Sequence, residues 1–513
     1  MSWIITKDQV SPPGDAAITY GITNAGGVFN LRSTGTVDYE AEWGDGNVEI
    51  STLNTLPHTY TAGDYDLVVY SDGVYRPYFN NVTADVSQIT SVAIGSGADL
   101  GTNLDSAWYG ASNMTTFTFP FDVTSSVTTF NRAWQNCINL TSFPLLDTSN
   151  GTNFISAWYN CNSLTSFPLL NTSSGTNFIS AWYNCNSLTS FPLLNTSSGT
   201  NFNYTWQNCS SLTTFPLLNT SSGATFSYAW YSCSSLTSFP LLNTSSGTNF
   251  NSAWRNCSSL TSFPLLDTSS GADFGYTWRD CSNLTSFPLL DTSIGTNFNQ
   301  TWYNCNSLTS FPLLNTSSGT SFNYTWLNCS SLTSFPLLDT SSGTSFPNTW
   351  RGCIGLTSFP LLNTSSGTNF NYTWQNCTSL TSFPLLNTSS GTNFNYTWQN
   401  CTSLTSFPLL NTSSGTNFSN AWQGCTSLAS FPANMFDTTG TLIATAFSSA
   451  WFGCALTAQS MENILVSLDT NGATGITLSI AGGTNAGKST WTAAANTAYN
   501  NLIAKGWTIY FNA

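Results

Sequence analysis

NTSSGTNFNYTWQNCTSLTSFPLL occupies residues 363–386, and the same 24 letters return at 387–410. Outward from this pair the spacing holds on both sides. Cysteine stands at 137, 161, 185, 209, 233, 257, 281, 305, 329, 353, 377, 401 and 425, and a tryptophan precedes each by three residues, as in Trp134, Trp158 and Trp182. A fixed period in this range is the mark of a solenoid, in which each unit buries its apolar side chains on its neighbours.

The unit from Cys137 to Cys161, CINLTSFPLLDTSNGTNFISAWYNC, shows what each coil is expected to do. Leu140, Phe143 and Leu145 follow an L-x-x-F-x-L pattern. Pro144 has no N–H to give a ladder, so the strand should be short, Leu140 to Phe143. Asp147 to Asn153 reads as a turn, with Gly151 free to take positive φ. Phe154, Trp158, Cys161 and Leu164 are spaced to share one face of a helical or near-helical turn. Each coil then buries Leu, Phe, Leu, Phe, Trp and Cys. SAWYGASNMTTF (106–117) and FSSAWFGCAL (447–456) align with the unit as worn first and last coils, Ala111 standing in the cysteine place and Met114 in the leucine place.

LTSFPLLDTSNGTNFISAWYNCNSLTS closely resembles the BspA-like leucine-rich repeat. Trp stands here where that family usually has Phe, Phe154 where it has Met, and Gly151 where it has Val. The resemblance spans residues 85–456. It implies a surface protein of bacterial, protist or phage origin, linked with adhesion and host binding. Ahead of it, EWGDG (42–46) and HTYTAGDYDLVV (58–69) resemble the signature of PKD-like β-sandwich modules, which implies a structural or adhesive role. The tail resembles the ends of repeat proteins from tailed phages.

The expected fold class is mostly β with short helical turns: a leucine-rich-repeat solenoid with one short parallel strand per coil, an N-terminal β-sandwich and an α/β cap. The domains are a leader at 1–15, the PKD-like sandwich at 16–80, the solenoid at 85–456 and an αβαβ cap at 457–513. In the cap, SMENILVSLD (460–469) and STWTAAANTAYNNLIAKG (489–506) read as helices, ITLSI (476–480) and WTIYFN (507–512) as strands.

Charge is scarce. Charged residues make up 6% of the chain and the net charge is −14. Without clustered Lys and Arg, nucleic-acid binding is disfavoured. No apolar run is long enough to insert in a membrane, and MSWIITKDQVSPPGD lacks the layout of a secretory signal. The expectation is synthesis in the cytoplasm and a place on a virion or an extracellular surface. The fourteen cysteines, one per repeat, form a column read as free buried thiols, with disulfides between neighbours the alternative. One histidine, His58, and no Cys-x-x-Cys leave no metal set, and no cofactor is expected.

Catalytic signals are weak. Gly482 to Ser489 satisfies G-x-x-x-x-G-K-S, but the surrounding region is too small for a nucleotide-binding sheet, and a glycine-rich turn before a helix accounts for it. His58 belongs to the HTY segment, and past residue 50 glutamate is absent except for Glu462, so neither a Ser-His-Asp set nor a carboxylate pair is expected. The chain reads as non-enzymatic.

Variation is concentrated in two columns. One follows each Trp and includes Tyr159, Tyr183, Tyr231, Arg255, Arg279, Tyr303 and Arg351; the other lies two residues after each Phe and includes Tyr204, Tyr228, Tyr276, Tyr324, Tyr372 and Tyr396. Three residues apart, they should form adjacent stripes, and Tyr and Arg suit a binding surface. Solvated drift is the plain alternative. The reading is an adhesion or host-recognition fibre protein, a phage virion component, that binds a host-surface glycan or protein through the solenoid face, with the N-terminal module contacting other virion or surface proteins. A structural or filament-forming bacterial surface protein, with homo-oligomeric contacts, is the alternative, and ice binding by Thr and Ser columns a minor one.

Overall fold

The computed structural model describes residues 17–34, 38–71, 73–80 and 83–513; the expected leader at 1–15 lies outside them. The chain divides into two compact units, residues 1–247 and 248–513.

The first unit begins with a sheet. Strands β1 (Ala17–Arg32), β2 (Tyr39–Glu42), β3 (Val48–Ser51) and β4 (Thr55–Ser71) are followed by a one-turn helix α1 (Thr83–Val86), then β5 (Ile89–Ile94) and β6 (Thr116–Thr118). Their order is β3-β2-β4-β1-β5-β6 in a single six-stranded sheet. The expected two-sheet sandwich is therefore one hydrogen-bonded sheet, and it runs through the expected domain boundary near residue 80. The reason is the edge of β1, which takes β4 on one side and the first coil strand on the other, Ile18 facing Ile94. β5 and β6 are parallel, in coil-to-coil register. Trp43 stacks on His58 at 4.3 Å, His58 Nε2 meets Asp45 at 2.8 Å, and the Tyr60 hydroxyl donates to the Trp43 carbonyl. The lone histidine is thus a packing residue.

The coils that follow account for almost every backbone amide between Phe154 and Cys161. The N–H groups of Phe154, Ser156, Trp158 and Asn160 donate to the carbonyls of Asn177, Ile179, Ala181 and Tyr183 in the next coil at 2.7–2.9 Å. Those of Ala157, Tyr159 and Cys161 close turns onto Phe154, Ser156 and Trp158 at 3.1–3.2 Å, and that of Ile155 reaches Asn153 Oδ1. Buried amides must be paired, and this arrangement pairs them alternately within and between coils. A helix would spend them all internally. The expected helical turn is accordingly a chain of successive tight turns, opened by left-handed residues at Ser156 (φ 52°) and Asn160 (φ 62°).

Three further expectations change. Gly151 is not at positive φ; a Cβ there would stand 2.7 Å from the Phe154 ring and 2.9 Å from that of Phe130, so packing, not dihedral freedom, requires glycine. No strand forms over Leu140–Phe143. The segment joins its neighbour through one bond, Thr165 N–H to Thr141 carbonyl at 3.3 Å, and regular parallel pairing shrinks to single residues such as Asn153 with Asn177. Finally, Leu145 does not point inward: it is 50% exposed, while Leu146 is buried. In the next coil the Leu170 N–H closes a three-residue turn onto the Pro168 carbonyl at 3.0 Å. Such a turn breaks strand alternation and throws its central residue, Leu169, outward.

The core consists of aromatic columns. In the first unit Trp134, Trp158 and Trp182 stack at 5.6 and 5.3 Å, and Phe154 on Phe178 at 5.4 Å. Phe167 meets Trp158 edge-on at 4.8 Å. The second unit repeats this, with Trp278 fully buried between Trp254 and Trp302 at 5.8 and 5.7 Å. Each coil also buries a threonine that the repeat pattern alone did not single out: the Thr172 hydroxyl donates to the Asn195 carbonyl, and that of Thr316 to the Asp339 carbonyl.

The second unit closes with α2 (Ala458–Asn471), β7 (Thr477–Ile480), α3 (Ala493–Ala504) and β8 (Thr508–Phe511). Thr457 and Thr492 cap the helices, and Gly472 ends α2 at φ 81°. The inter-coil ladder passes directly into this region. Trp451 and Gly453 N–H groups donate to Ser479 and Ala481, and β7 pairs in parallel with β8. Two strands thereby take the places of two further coils, α2 is tied to the last coil through Ser460 and Ser467, whose hydroxyls accept the Phe431 and Phe436 N–H groups, and α3 packs on α2.

Candidate binding surface

The two variable columns lie on the turn face. Within a coil they are the ends of one turn, Tyr159 N–H to Ser156 carbonyl. In the first unit Tyr159 and Tyr183 stack at 4.4 Å, Tyr204 and Tyr228 at 5.0 Å, and Tyr228 leans on Tyr231 at 5.6 Å. In the second unit guanidinium groups lie over the rings: Arg255 over Tyr276, Arg279 over Tyr303 at 4.4 Å, and Arg351 over Tyr372. Tyr372 and Tyr396 stack at 4.5 Å, and Tyr324 stands 37% exposed. The structure thus brings the sequence-predicted residues into contact, but as half-buried stacks that offer edges and hydroxyls, with many ring faces covered. Burial, then the neighbouring phenol, raises the pKa of Tyr159 and of Tyr372.

Arg279 is held on several sides. Its Nε donates to Asp280 at 3.1 Å, its Nη1 to Gln300 Oε1, and Gln300 passes a bond to the Tyr276 hydroxyl at 3.2 Å. Removing these side chains therefore touches stability as well as any contact.

The backbone beneath the columns is unusual. Tyr204, Tyr228, Tyr276, Tyr324, Tyr372 and Tyr396 have φ between 56° and 60°. Left-handed conformation is uncommon outside glycine and is tolerated best by Asn and Asp. No Val, Ile or Thr occupies this column, as sterics require. Four residues on, a second left-handed column holds Asn, Asp, Ser or Gly, and its amides form a ladder: Asn184 Nδ2 to Asn160 Oδ1 at 2.6 Å, Asn328 Nδ2 to Asn304 Oδ1 at 2.9 Å.

Sequence reasoning missed a stripe on the other side of the coil. Leu169 is 62% exposed and Leu170 2%. The same outward leucine recurs in the first unit at 145, 193, 217 and 241, and in the second at 265, 289, 313, 337, 361, 385 and 409. The doublet Pro-Leu-Leu carried the signal, since two adjacent leucines cannot both enter one core.

The other candidates resolve simply. All fourteen cysteines are buried and none forms a disulfide, and their thiols donate to tryptophan carbonyls of the preceding coil, as Cys161 to Trp134 at 3.1 Å and Cys305 to Trp278 at 3.3 Å. Burial pushes the pKa of Cys233 and of Cys329 up to about 12. The glycine-rich loop is not built to cradle phosphate. Its amides are spent: Gly482 on Asn512, Thr484 on Cys454, Ala486 on Leu456, Lys488 on Asn512. Lys488 lies over the Tyr499 ring at 3.7 Å, and α3 starts only at Ala493. The exposed threonine hydroxyls, such as Thr176 to the Thr152 carbonyl at 3.2 Å, are turned into the ladder. No helix among the described residues is long and apolar enough to cross a membrane.

A family model described as "BspA type Leucine rich repeat region (6 copies)" matches residues 102–221, 154–272, 251–367 and 323–450. No curated protein matches the chain. Among solved structures, a leucine-rich repeat protein from Eubacterium ventriosum is 17% identical, over 63% of this chain and 95% of that one, with a TM-score of 0.33. The plant peptide hormone receptor RGFR1 in complex with RGF2 is 10% identical (79% and 88% covered, TM-score 0.17). The TLR13–ssRNA13 complex is 13% identical (84% and 83% covered, TM-score 0.16). TM-scores of this size do not establish a shared global arrangement.

Proposed function

The chain belongs to the BspA-type leucine-rich-repeat family, and on that premise we propose that it is a non-enzymatic adhesion or host-recognition protein, displayed on a virion or other extracellular surface, that binds a surface glycan or protein through its turn face. The observation that carries this reading is the tyrosine column held at positive φ. Backbone strain of this kind costs on the order of 1–3 kcal/mol per residue and persists where something else retains it. Asparagine would serve the backbone better. Tyrosine serves a contact better, through a rigid amphipathic ring.

The test is a glycan array probed with the labelled full chain and with a variant carrying Ser at Tyr276, Tyr303, Tyr324 and Arg279. The reading expects the variant to stay folded, somewhat less stable, and to lose at least tenfold in signal. Equal binding by the variant removes the columns from recognition. Mass spectrometry of purified phage particles addresses the virion assignment, and absence of the chain from particles moves it to a cell surface.

The leucine stripe favours a second reading, lateral association with another copy of this chain. Seven outward leucines in the second unit expose on the order of 700 Å² of apolar surface, near the ~800 Å² per partner of a stable interface and more than monomers usually leave open. A second copy offers the same spacing, leucine for leucine, whereas the surplus of negative charge repels an anionic lipid surface. Light scattering with rising concentration should show self-association that Leu313→Asn with Leu361→Asn abolishes. Strictly monomeric behaviour of the parent rules this reading out.

A further inference from the structure

The chain has nine Lys and Arg residues, and most of those described are engaged. Arg32 pairs with Asp85, Arg279 with Asp280 and Lys505 with Asp469. Lys488 lies over Tyr499, and Arg351 over Tyr372. Two stand apart. The guanidinium groups of Arg76 and Arg132 have no hydrogen-bond or ion-pair partner among the described residues, and Arg76 Nε is buried with nothing to bond. Both line the same cavity of about 570 Å³ in the first unit, where the N-terminal sheet meets the first coils.

We infer that this cavity is a binding site for an acidic saccharide, whose carboxylate is held by Arg76 and Arg132. Both arginines line the cavity, and the planar fork of arginine matches a carboxylate. Among the described residues neither guanidinium forms an ion pair. Asp105, on the same wall, directs Oδ1 to the Thr129 hydroxyl at 2.6 Å and the Asn131 N–H at 3.1 Å, which leaves Oδ2 as an acceptor for a ligand hydroxyl. Asn80, Asn103 and Asn131 complete the polar wall. Asn103 already uses its carbonyl on the Asp105 N–H, so its amide donors remain for a ligand. Two cations, one carboxylate and several amides fit a monoanion rich in hydroxyls. A doubly charged phosphate fits less well beside Asp105. The volume suits one or two sugar rings.

Arg132 supplies an independent pointer. It occupies the left-handed column at φ 57°, where Ser, Asn and Tyr stand in other coils, and no other arginine does so. Its side chain is kept at a backbone cost, as expected where a residue is retained for contact. A protein of net charge −14 otherwise repels anions, so two guanidinium groups on one cavity, unpaired among the described residues, make a local exception.

The site deepens the recognition reading by naming a ligand class, and its biological sense rests on that reading, although its binding chemistry does not. The experiment is calorimetric titration of the full chain with N-acetylneuraminic acid and with a glucuronic-acid disaccharide, with inorganic phosphate and sulfate as controls. The variants are Arg76→Gln, Arg132→Asn (which also relieves the backbone) and the turn-face quadruple variant. The proposal expects saturable binding of at least one acidic sugar, weakened at least tenfold in both arginine variants, weakened by salt, and unchanged in the quadruple variant. It is overturned if the folded parent binds neither sugar, if the arginine variants bind as the parent does, or if phosphate or sulfate binds as tightly as the sugars. Loss of array signal in the quadruple variant with intact titration here would uphold the turn face and the cavity separately. Array binding without titration would remove the cavity alone.

Discussion

Two columns of every coil share one backbone conformation and differ in what they carry. At Asn160 and its equivalents, φ near 60° meets residues that accept it, and the amides join in a ladder. At Ser156 and its equivalents the same φ carries Ser, Asn, Gln, Arg and, six times, Tyr. The first column shows what the fold alone selects. The second departs from that choice, and the departure separates what builds the coil from what the coil presents.

The largest expected effect removes the wall behind both columns. Trp278→Ala should cost about 3–5 kcal/mol by emptying a fully buried site. Because each coil leans only on its neighbours, hydrogen exchange should open the coils around Trp278 first, and both columns there should lose protection together. Uniform single-step unfolding with an unchanged midpoint would break the account.

Next is a substitution that denies the shared backbone. Asn328→Val puts a β-branched residue at φ 60° and deletes the bond to Asn304; a loss of about 2 kcal/mol is expected. Gln300→Val, in the other column at φ 55°, should cost about the same if the backbone demand is truly equal. Chemical denaturation of the two variants compares them directly, and a much cheaper Gln300→Val would mean that the second column bends to suit its residue.

The pH dependence tests the interior shared by both. Burial raises Cys233, Cys329, Cys377 and Cys425 to about 12 from an ordinary 9.0. The folded chain therefore holds protons that the unfolded chain releases. The stability this provides is fully present below pH 9 and falls as pH rises from 9 towards 12. Thermal midpoints that hold level across that window would show the thiols to be solvated.

How much of this was legible in the letters depends on which interaction decides each feature. The repeat, the aromatic wall and the last coil follow from period and residue type, because Trp, Phe and Cys at constant spacing admit one buried side. The turns did not follow. Phe154, Trp158 and Cys161 satisfy helical spacing, yet the amides between them are claimed by the next coil, a demand that exists only once coils stack. The outward leucines, such as Leu169, escaped for a local reason, the turn closed at proline between Pro168 and Leu170. The N-terminal sheet was misjudged as two because nothing in β1 announces that its free edge will take β5. Of the candidate surface, the columns could be found as variation against a constant background. Their self-stacking and left-handed backbone could not, and the unpaired Arg76 and Arg132 come together only through contacts distant in the chain.

The most direct test of the central claim, that the tyrosines are kept for contact and not for the coil, replaces Tyr276, Tyr324 and Tyr372 together with Asn. Denaturation and glycan-array binding are then measured on the same preparation. Asparagine relieves the left-handed backbone, by about 1 kcal/mol per site, and gives up ring contacts of similar size. The account predicts stability within about 1 kcal/mol of the parent and binding reduced at least tenfold. A sharp loss of stability with undiminished binding per folded molecule would contradict it.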